Sequence, residues 1–262
     1  MKQLKKDIIL ANLPKNRINL DIFEEIDSTN EFLKKNKQSN EFNLVASEKQ
    51  TNGKGRRGKK WHSPKKGNIY MSISTKNTFK SGPLSLITGI ICTKVLSNIS
   101  QTEEIGLKWP NDLVFNNKKI GGILVEKDIY ANEEKTIIGI GINFNINGEE
   151  NWWGDISELK IEDQRNEIIS EITSEIIKAY DKDHFDWVNQ WENLCIHLNK
   201  EVKIYNHNST TEDGVFIGIE DDGSALIKTE SGMKSFKSSE ISIKGVYCCL
   251  LYTSDAADES SS

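Results

Sequence analysis

The stretch from Ile105 to Phe144 places the strongest constraint on the fold of this chain. Its apolar segments span residues 105–109, 113–115, 118–126 and 136–144, and the dipeptide Asn116-Asn117 separates the second from the third. Strands joined by so short a turn pair antiparallel, because a parallel pair needs a crossover of about a dozen residues. The stretch therefore predicts an antiparallel meander and argues against a doubly wound βαβ sheet.

The residues before the meander predict strands and helices in mixed order. Alternating apolar residues indicate strands at 18–26, 43–47 and 69–74, the last of them half-buried. Ser28 followed by Glu31 is a capping-box pattern, which predicts a helix that runs to about residue 37. Apolar residues at helical spacing predict a core helix over 83–99. This order indicates an α+β fold.

The residues after the meander predict two helices and then a separate β module. Apolar periodicity predicts helices over 164–182 and 185–198. From Glu201 short β segments alternate with turn signals at Asp213-Gly214, Asp222-Gly223 and Ser231-Gly232. We expect one domain at 1–198 and a small β-barrel or sheet domain at 199–245. Residues 246–262 continue no periodicity, so we expect a disordered, non-native tail there.

Composition excludes several classes of protein. Of the 262 residues, 36% are hydrophobic and 28% are charged, which excludes general disorder. The sequence has no run of about 18 apolar residues, so we expect no membrane span. The four cysteines lack zinc-ligand spacing. This cysteine usage predicts neither a disulfide nor a structural metal, and it favours a cytoplasmic location.

Residues 53–60, GKGRRGKK, form a basic loop in a chain whose net charge is −5. Its glycines, at 53, 55 and 58, permit positive φ angles and close approach of backbone N–H groups to an anion. Only four of the 34 basic residues are arginines, and Arg56 and Arg57 are two of them. This placement favours a phosphate or carboxylate that matches a planar guanidinium. A nucleic acid is an alternative ligand, although the net negative charge weakens it, and a solvated loop without a ligand is another.

A second polar cluster lies in the meander, at residues 108–112, KWPND. Pro110 is expected to end the strand before it and to hold Asn111 and Asp112 in a rigid turn with inward polar groups. A buried carboxylate at Asp112 requires a partner, either a neighbouring lysine or a bound metal. Gly121-Gly122 within an apolar strand predicts close approach of a ligand or of another backbone.

Six motifs, taken in order, resemble the biotin protein ligase family. They are DSTN at 27–30, QTNGKGRRGKKWHSP at 50–64, GNIYMS at 67–72, KWPNDL at 108–113, KIGGILVE at 119–126 and IGIGIN at 138–143. The resemblance covers about residues 20–245, and the ordered set is far more specific than any single motif.

The resemblance implies a fold and a reaction. The fold is a mixed, largely antiparallel sheet with flanking helices, related to class II aminoacyl-tRNA synthetases, followed by a small C-terminal SH3-like β-barrel. The implied enzyme uses ATP and Mg²⁺ to convert biotin to biotinyl-5′-AMP, and then transfers biotin to a lysine of a biotin carboxyl carrier protein. No nucleic acid or membrane partner is implied, and a homodimer is left open. Because DSTN begins at residue 27, we expect the short type without an N-terminal DNA-binding domain.

The resemblance also implies roles for individual residues. Lys119, Arg56 and Asp112 are the implied catalytic residues, with Lys119 beside the biotin carboxylate and the reacting phosphate. Trp61 is expected near the adenine ring. No metal-ligating residue is implied. The residues implied in binding biotin and the adenylate are Ser28, Thr29, Asn30, Gln50, Gly53, Lys54, Gly55, Arg56, Arg57, Trp61, Asn111, Lys119 and Gly122.

Lys54 and Lys59 depart from the family pattern, in which arginines usually occupy these two loop positions. Lysine keeps the charge but loses bidentate geometry, so we expect weaker retention of the adenylate. A lipoate–protein ligase shares the fold class and reaction type and is the main alternative, although the basic loop and the KWPND run favour biotin. The alternatives from other classes are a nucleic-acid-binding protein that uses the basic loop and an adenylate-binding domain without activity.

Overall fold

The structure is a computed structural model, which describes residues 2–65, 67–130, 133–146, 150–182, 184–206 and 211–246. The helices, numbered in chain order, are α1 (Lys6–Ile9), α2 (Thr29–Lys35), α3 (Leu84–Ser100), α4 (Arg165–Tyr180) and α5 (Val188–Leu194). The strands of the larger sheet are β1 (Ile18–Phe23), β2 (Phe42–Ser47), β3 (Ile69–Thr75), β4 (Gly106–Lys108), β5 (Asp112–Phe115), β6 (Lys118–Tyr130) and β7 (Glu133–Ile142). The C-terminal sheet contains β8 (Glu201–Asn206), β9 (Thr211–Ile219), β10 (Ala225–Thr229), β11 (Gly232–Phe236) and β12 (Ile241–Lys244).

The larger sheet has seven strands in the order β1-β2-β3-β7-β6-β5-β4. Its β1–β2 pair is parallel, and its other described pairs are antiparallel. The predicted meander is therefore confirmed in β4 to β7. Asn116 and Asn117 connect β5 to β6 with φ angles of 51° and 55°, the two positive values that a type I′ hairpin turn requires.

Strand β3 is buried along its whole length, so the prediction of a half-buried strand is wrong. Ile69, Met71 and Ile73 belong to the main core, on the face that α3 and α4 cover. Ser72 and Ser74 point to the other face, where α2 packs, and their hydroxyls hydrogen-bond to Asn30 and Gln38. With helices on both faces, the polar residues of this strand are paired with protein groups instead of facing solvent.

Strand β7 provides a flat surface on the same side of the sheet as α2. Its isoleucines at 138, 140 and 142 lie in the main core, so the two-residue period of a strand turns Gly139 and Gly141 to the opposite face. A Cβ atom on Gly141 would lie 2.6 Å from Trp61 Nε1, and one on Gly139 would overlap the Asn30 amide. The glycines therefore let two polar side chains lie directly on the strand.

Helix α2 begins at the predicted cap, where Ser28 Oγ accepts a hydrogen bond from Glu31 N at 3.5 Å. The reciprocal half of the capping box does not form, because Ser28 N donates to Asp27 Oδ1 at 2.7 Å. The Glu31 carboxylate instead pairs with Lys54 Nζ at 2.7 Å, and this ion pair holds the pKa of Glu31 below its usual range. Glu31, in the first turn of the helix, thus connects α2 to the basic loop.

Helix α5 is shorter than the predicted helix over 185–198, because it spans only Val188–Leu194. Cys195 is extended and forms a bridge with Leu107, and Ile196 N, at the start of a turn, donates to Leu107 O at 3.0 Å. Leu107 lies on β4, the edge strand of the larger sheet. Pairing with this open edge satisfies backbone groups that another helical turn would leave beside the unpaired strand.

The C-terminal sheet has five strands in the order β11-β10-β9-β8-β12. The turns predicted at Asp222-Gly223 and Ser231-Gly232 are confirmed, because they join β9 to β10 and β10 to β11. The turn predicted at Asp213-Gly214 is wrong, because both residues lie within β9, where they pair with β8. Strand pairing on both sides of β9 outweighs the local turn preference of Asp-Gly.

Arg165 and Glu48 form an ion pair of 2.7 Å in which both residues are buried. Burial alone would raise the pKa of Glu48, but the Arg165 guanidinium and the Leu4 N–H together outweigh it and lower that pKa. Arg165 also donates to the carbonyl of Lys2, and Glu48 accepts from Leu4 N. This pair fastens the N-terminal segment to the start of α4.

Among the described helices none is long and apolar enough to cross a membrane. Cys92 and Cys195 are free thiols, whereas Cys248 and Cys249 lie outside the described residues. The disordered tail predicted for 246–262 also lies outside them, except for Val246, which packs against the main core.

His197 is buried between the two sheets. Its ring lies 4.3 Å from that of Phe216 on β9, centroid to centroid, and Nδ1 is 3.3 Å from Cys195 Sγ. Burial, followed by the positive charges of Lys108 and Lys200, lowers the pKa of His197 from 6.5 to about 3. The folded protein therefore holds a neutral imidazole at pH values where the unfolded chain binds a proton.

We predict that the free energy of unfolding decreases as the pH is lowered below about 6.5. The substitution His197→Phe should remove part of this decrease. Because the pKa is lowered by folding, stability is complete above the unfolded value and is lost as pH decreases towards 3. Between about pH 7.5 and about pH 5, His197 should account for about 2 kcal/mol of the unfolding free energy. Urea unfolding of both proteins at the two pH values measures it, and equal pH dependence in the variant would contradict the assignment.

Candidate active site

A cavity of about 710 Å³ opens on the face of the larger sheet that carries α2. Its walls come from the start of α2, the basic loop, the β4–β5 turn, strands β6 and β7, and residues 241–245 of the C-terminal sheet. Of the residues that the sequence predicted as site residues, all except Gly53 line this cavity. Gly53 lies at the base of the basic loop, where its carbonyl accepts from Trp61 N at 2.9 Å.

The cavity is strongly cationic. Its acidic lining residues are Asp112 and Glu150, whereas its basic lining residues are Lys54, Arg56, Arg57, Lys59, Lys60, Lys108, Lys119 and Lys244. The whole chain has a net charge of −5, so this concentration of positive charge is local. Low-dielectric walls intensify such a field, which favours an anionic ligand.

Asp112 is the centre of a buried charge cluster at one end of the cavity. Its carboxylate lies 2.5 Å from Lys119 Nζ and 3.8 Å from Lys108 Nζ, so lysines provide the predicted partner. Burial lowers the pKa of Lys108, Asp112 opposes that shift, and the charges of Lys119 and Arg56 add to it. Burial followed by repulsion from Arg57 likewise lowers the pKa of Arg56. An anion entering here would relieve this repulsion.

Asn111 and Gly122 complete this end of the cavity. Asn111 Nδ2 donates to Ile123 O at 2.8 Å, and Ile123 N donates to Asn111 O at 3.0 Å. The predicted rigid turn is therefore fixed against β6. A Cβ atom on Gly122 would lie 3.5 Å from Lys119 Nζ and 3.4 Å from Trp61, and Gly121 approaches the backbone of Gly141. Gly121 thus permits the predicted close approach of another backbone, whereas a Cβ atom on Gly122 would make only ordinary contacts with side chains.

The basic loop differs from its predicted backbone geometry. Of its three glycines only Gly58 has a positive φ angle, of 73°, while Gly55 has a φ of −110°. Arg57 instead occupies the left-handed region with a φ of 55°. The loop is closed by a hydrogen bond from Gly55 N to Lys59 O at 2.7 Å. This hydrogen bond fixes the backbone of the loop. Gly53 and Gly55 therefore allow close packing and do not adopt unusual dihedral angles.

The two arginines of the basic loop contact the C-terminal sheet. Arg57 donates to the carbonyls of Ser238 and Ile241 and to Ser242 Oγ, at 3.0, 2.9 and 2.9 Å. Arg56 donates to the same Ser238 carbonyl at 2.6 Å and to Asn111 Oδ1 at 3.2 Å. Arg56 therefore joins the charge cluster to the turn between β11 and β12, whereas the described hydrogen bonds of Arg57 hold β12 and that turn against the loop.

The opposite end of the cavity carries a polar network at the start of α2. Thr29 N donates to Gln50 Oε1 at 2.9 Å, and Gln50 Nε2 donates to Ser63 Oγ at 3.0 Å. Ser72 Oγ lies 2.6 Å from Thr29 Oγ1 and 2.5 Å from Asn30 Oδ1. Ser28, Thr29 and Asn30 are all nearly inaccessible to solvent. This end can therefore recognise a neutral polar group by hydrogen bonding, away from the charge cluster.

Trp61 lies between the two ends. Its ring packs on Gly141, and Lys119 Nζ sits 5.4 Å from the ring centroid, within range for a cation–π contact. Trp61 Nε1 and Asn143 Oδ1 are buried atoms that have no hydrogen-bond partner among the described residues. Both residues line the cavity, where a ligand can satisfy them.

Several lining residues were not singled out as site residues from the sequence. Lys108 belongs to the KWPND motif, but no feature of the sequence assigned it a role. Its burial depends on tertiary packing, which cannot be read from the sequence. Trp152 and Trp153 also line the cavity, and the Trp153 ring stacks on His62 with centroids 6.0 Å apart. Two adjacent tryptophans in a polar segment were the signal that could have identified them. Ser242 and Lys244 had no local signal.

Comparison with known proteins agrees with this geometry. A model of the biotin/lipoate A/B protein ligase family matches residues 22–143, and a model of the biotin protein ligase C-terminal domain matches residues 197–244. The chain is 29% identical over 235 residues to the bifunctional ligase/repressor BirA of Escherichia coli, which covers 84% of this chain and 72% of that protein. It is 28% identical over 225 residues to BirA of Bacillus subtilis, covering 79% and 68% of the two chains.

A solved structure gives the same result. The biotin protein ligase of Aquifex aeolicus in complex with biotin and ATP superposes with a TM-score of 0.70 and 29% identity, and the match covers 86% of this chain and 98% of that one. The mixed α+β fold, with its largely antiparallel sheet and separate C-terminal sheet, is shared with that enzyme. Sequence motifs, fold and cavity therefore agree that the chain belongs to the biotin protein ligase family.

Proposed function

We propose that this enzyme makes biotinyl-5′-AMP from biotin and ATP and transfers the biotin to a lysine of a biotin carboxyl carrier protein. The observation that carries this function is one cavity with a cationic end at Lys108, Lys119 and Arg56 and a hydrogen-bonding end at Thr29 and Gln50. A reaction between a carboxylate and a polyphosphate needs both ends. The cations offset the repulsion of two anions, and the polar end holds the ring of the vitamin.

The first step joins biotin to the nucleotide. A biotin carboxylate oxygen attacks the α-phosphorus of ATP, the bond from that phosphorus to the bridging oxygen breaks, and pyrophosphate leaves with the electron pair. Lys119 and Arg56 are placed to stabilise the negative charge that builds on the phosphoryl oxygens. The enzyme supplies no nucleophile, so no Ser-His or Cys-His pair is required.

The second step transfers the biotinyl group. The amine of the carrier lysine attacks the carbonyl carbon of the mixed anhydride, AMP leaves, and the amine loses a proton. The lid formed by the basic loop excludes water and protects the anhydride until the carrier arrives. For Asp112 we propose an indirect role: its 2.5 Å contact with Lys119 Nζ orients that ammonium towards the reacting phosphate.

The remaining site residues receive proposed roles from their position. Ser28, Thr29, Asn30 and Gln50 hold the biotin ring at the polar end. Lys54 and Gly55 belong to the lid. Trp61 keeps its predicted place near the adenine ring, with Trp152 and Trp153 as further aromatic faces of the same cavity. The residues proposed to line the path between biotin and nucleotide are Gly53, Arg57, Asn111 and Gly122.

The described residues of this cavity offer Mg²⁺ no cluster of protein ligands. Asp112 is paired with Lys119, and among the described residues no group of three or more His, Cys, Asp or Glu is placed to hold a metal ion. A carboxylate flanked by two ammonium groups is a poor ligand for a divalent cation. A Mg²⁺ ion that accompanies ATP would therefore be held by phosphate oxygens and water.

We further propose the finer structural relations that the sequence predicted. The larger sheet resembles class II aminoacyl-tRNA synthetases, and the C-terminal sheet is an SH3-like barrel. The catalytic domain occupies 1–198 and the second domain 199–245. Cytoplasmic location, homodimer formation and the lack of a nucleic-acid partner stay predictions.

Two alternative functions make different predictions. A lipoate–protein ligase belongs to the same family model and would accept a dithiolane acid in place of biotin. A nucleic-acid-binding protein would present the basic loop to solvent, but Arg56 and Arg57 donate to carbonyls of the C-terminal sheet. We therefore favour the ligase, and substrate choice separates its two forms.

We predict that ATP–pyrophosphate exchange depends on biotin. Exchange with biotin should exceed exchange with lipoate by at least about 100-fold, because a pocket built for hydrogen-bonding groups rejects a ligand that lacks them. Equal or greater exchange with lipoate would assign the enzyme to the lipoate class, and steep salt-dependent DNA binding without exchange would favour the nucleic-acid alternative.

We predict that Lys119→Ala slows adenylate formation by about 2–4 kcal/mol in activation free energy, the usual effect of a preorganised charge. Lys118→Ala is the matched control, because Lys118 is the exposed neighbour on the same strand and lies outside the cavity. Biotin-dependent exchange at saturating substrate measures both variants. Wild-type exchange in Lys119→Ala would refute the assignment.

We predict that the Arg56→Ala variant releases biotinyl-5′-AMP to solvent faster than the wild-type enzyme does. Loss of the guanidinium removes both its charge and its hydrogen bonds to Asn111 and Ser238, so the lid no longer seals the intermediate. Arg56→Lys should give an intermediate rate, because the charge stays and the planar fork is lost. Chromatographic detection of free adenylate and its hydrolysis gives the rates, and unchanged release in Arg56→Ala would count against this role.

A further inference from the structure

Glu31 lies in the first turn of α2, outside the cavity, and its carboxylate contacts two ammonium groups. It is 2.7 Å from Lys54 Nζ of the basic loop and 3.1 Å from Lys34 Nζ of its own helix. A glutamate at this position of a helix usually accepts a hydrogen bond from the amide of the cap residue. Here that amide, Ser28 N, donates to Asp27. The Glu31 carboxylate is therefore available to a partner outside its own helix.

The Glu31 side chain is held in place on the helix. Its second partner, Lys34, also pairs with Glu126 on β6 at 2.7 Å, so this ammonium lies between two carboxylates. Lys34 is thereby fixed between α2 and β6, and it limits the directions in which the Glu31 side chain can point. A side chain that is already ordered loses little conformational entropy when it forms another contact. Glu31 thus presents an oriented anionic group to the basic loop.

The cations of the basic loop bind different parts of the protein. Arg56 donates to the β4–β5 turn and Arg57 to the C-terminal sheet, whereas Lys54 pairs with Glu31 on α2. The backbone of Lys54 also forms an antiparallel bridge with Lys60, which joins the two sides of the loop. An attachment at Lys54 therefore restrains both sides of the loop.

The pair with Glu31 also suits the lysine at position 54, where the family pattern has arginine. A lysine ammonium is a compact charge that one carboxylate can bind, whereas the planar fork of arginine suits two oxygens of a ligand. Lys54 lines the cavity, but Glu31 does not. Much of the charge of Lys54 is therefore offset by a protein carboxylate at the side of the cavity, away from the cluster around Asp112.

We infer that Glu31 is a positioning residue, whose ion pair with Lys54 holds the basic loop against the cavity and thereby retains biotinyl-5′-AMP until the carrier arrives. This inference rests on the proposed function and deepens it, because it assigns retention of the intermediate to a residue outside the cavity. The two side chains are 18% and 39% exposed. A pair with this exposure should shift closure of the loop by about two- to fivefold, and salt should weaken it.

Limited digestion with trypsin tests the position of the loop without ligand or turnover. Glu31→Gln keeps the shape of the side chain and removes its charge. Cleavage after Arg57, followed by mass spectrometry, should be about two- to fivefold faster in this variant than in the wild type at low salt. The difference should disappear at about 1 M NaCl, where the pair is screened. Digestion of a peptide of residues 50–64 corrects for the effect of salt on trypsin itself.

Glu25→Gln is the matched control. Glu25 pairs with Lys49 at 2.7 Å, so this substitution changes the net charge by the same amount and breaks an ion pair that touches neither α2 nor the basic loop. Its cleavage after Arg57 should equal that of the wild type.

A double-mutant cycle separates the ion pair from a general effect on α2. Lys54→Met should speed cleavage about as much as Glu31→Gln does, and the double variant should be no faster than either single variant. A loss of helix stability in Glu31→Gln would instead add to the effect of Lys54→Met. Thermal unfolding of each variant identifies loss of fold.

Retention of the intermediate is measured by chromatography of free biotinyl-5′-AMP. Glu31→Gln should release it about two- to fivefold faster than the wild type, as the change in loop closure requires. Biotin-dependent ATP–pyrophosphate exchange at saturating substrate should stay within about twofold of the wild type, because Lys119 and Arg56 keep their described contacts.

Four results would overturn the inference. They are wild-type cleavage in Glu31→Gln, equal acceleration in Glu25→Gln, additive effects of the two substitutions in the cycle, and faster cleavage with unchanged release of the adenylate. Lack of biotin-dependent exchange in the wild type would instead refute the proposed function. The digestion experiments would then still decide whether Glu31 holds the basic loop.

Discussion

The excess of positive charge around Asp112 is the constraint on which the rest of the active site depends. One carboxylate faces Lys108 and Lys119, and its charge also acts on the Arg56 guanidinium. Burial and mutual repulsion lower the pKa of both Lys108 and Arg56. The Asp112 carboxylate therefore does not fully balance the repulsion among these cations. Charges held in a low-dielectric site before the substrate arrives act strongly on an incoming anion, because no reorganisation is needed when it binds.

The surrounding fold holds these cations in place and separates them from the polar network at the start of α2. Glycines on β7 let the side chains of Trp61 and Asn30 pack directly on the sheet. These side chains therefore lie only one strand away from Lys119 on β6. The C-terminal sheet completes the wall, since its Ser238 carbonyl accepts from both loop arginines. Because both loop arginines donate to the C-terminal domain, a change in that domain should also change the position of the basic loop.

Local patterns in the sequence predicted the turns, caps and strands whose conformation is determined by neighbouring residues. The Asn116-Asn117 turn, the Ser28 cap and the alternation of isoleucine and glycine in β7 are each decided within a few residues, and the structure confirms the elements that they predict. The resemblance of the motifs to the biotin protein ligase family also predicted which residues meet in the cavity. These features are visible without knowledge of tertiary contacts.

Other features depend on contacts between distant segments and had no local signal. The Asp213-Gly214 turn was wrong because strands on both sides of β9 override its turn preference, and β3 was buried on both faces because α2 covers its polar side. The attachment of Arg57 to Ser238 and Ser242 spans more than 180 positions. The Glu126–Asn30 contact, across 96 positions, is of the same kind: each residue is ordinary alone, and only the fold brings them together.

The most direct test of the central claim is a crystal structure of the enzyme with a non-hydrolysable acyl-sulfamate analogue of biotinyl-5′-AMP. The account predicts that Lys119 Nζ and the Arg56 guanidinium both lie within about 3.2 Å of the sulfamoyl group, with the urea ring against Thr29. An analogue whose sulfamoyl group contacts neither cation, or which binds outside this cavity, would contradict it.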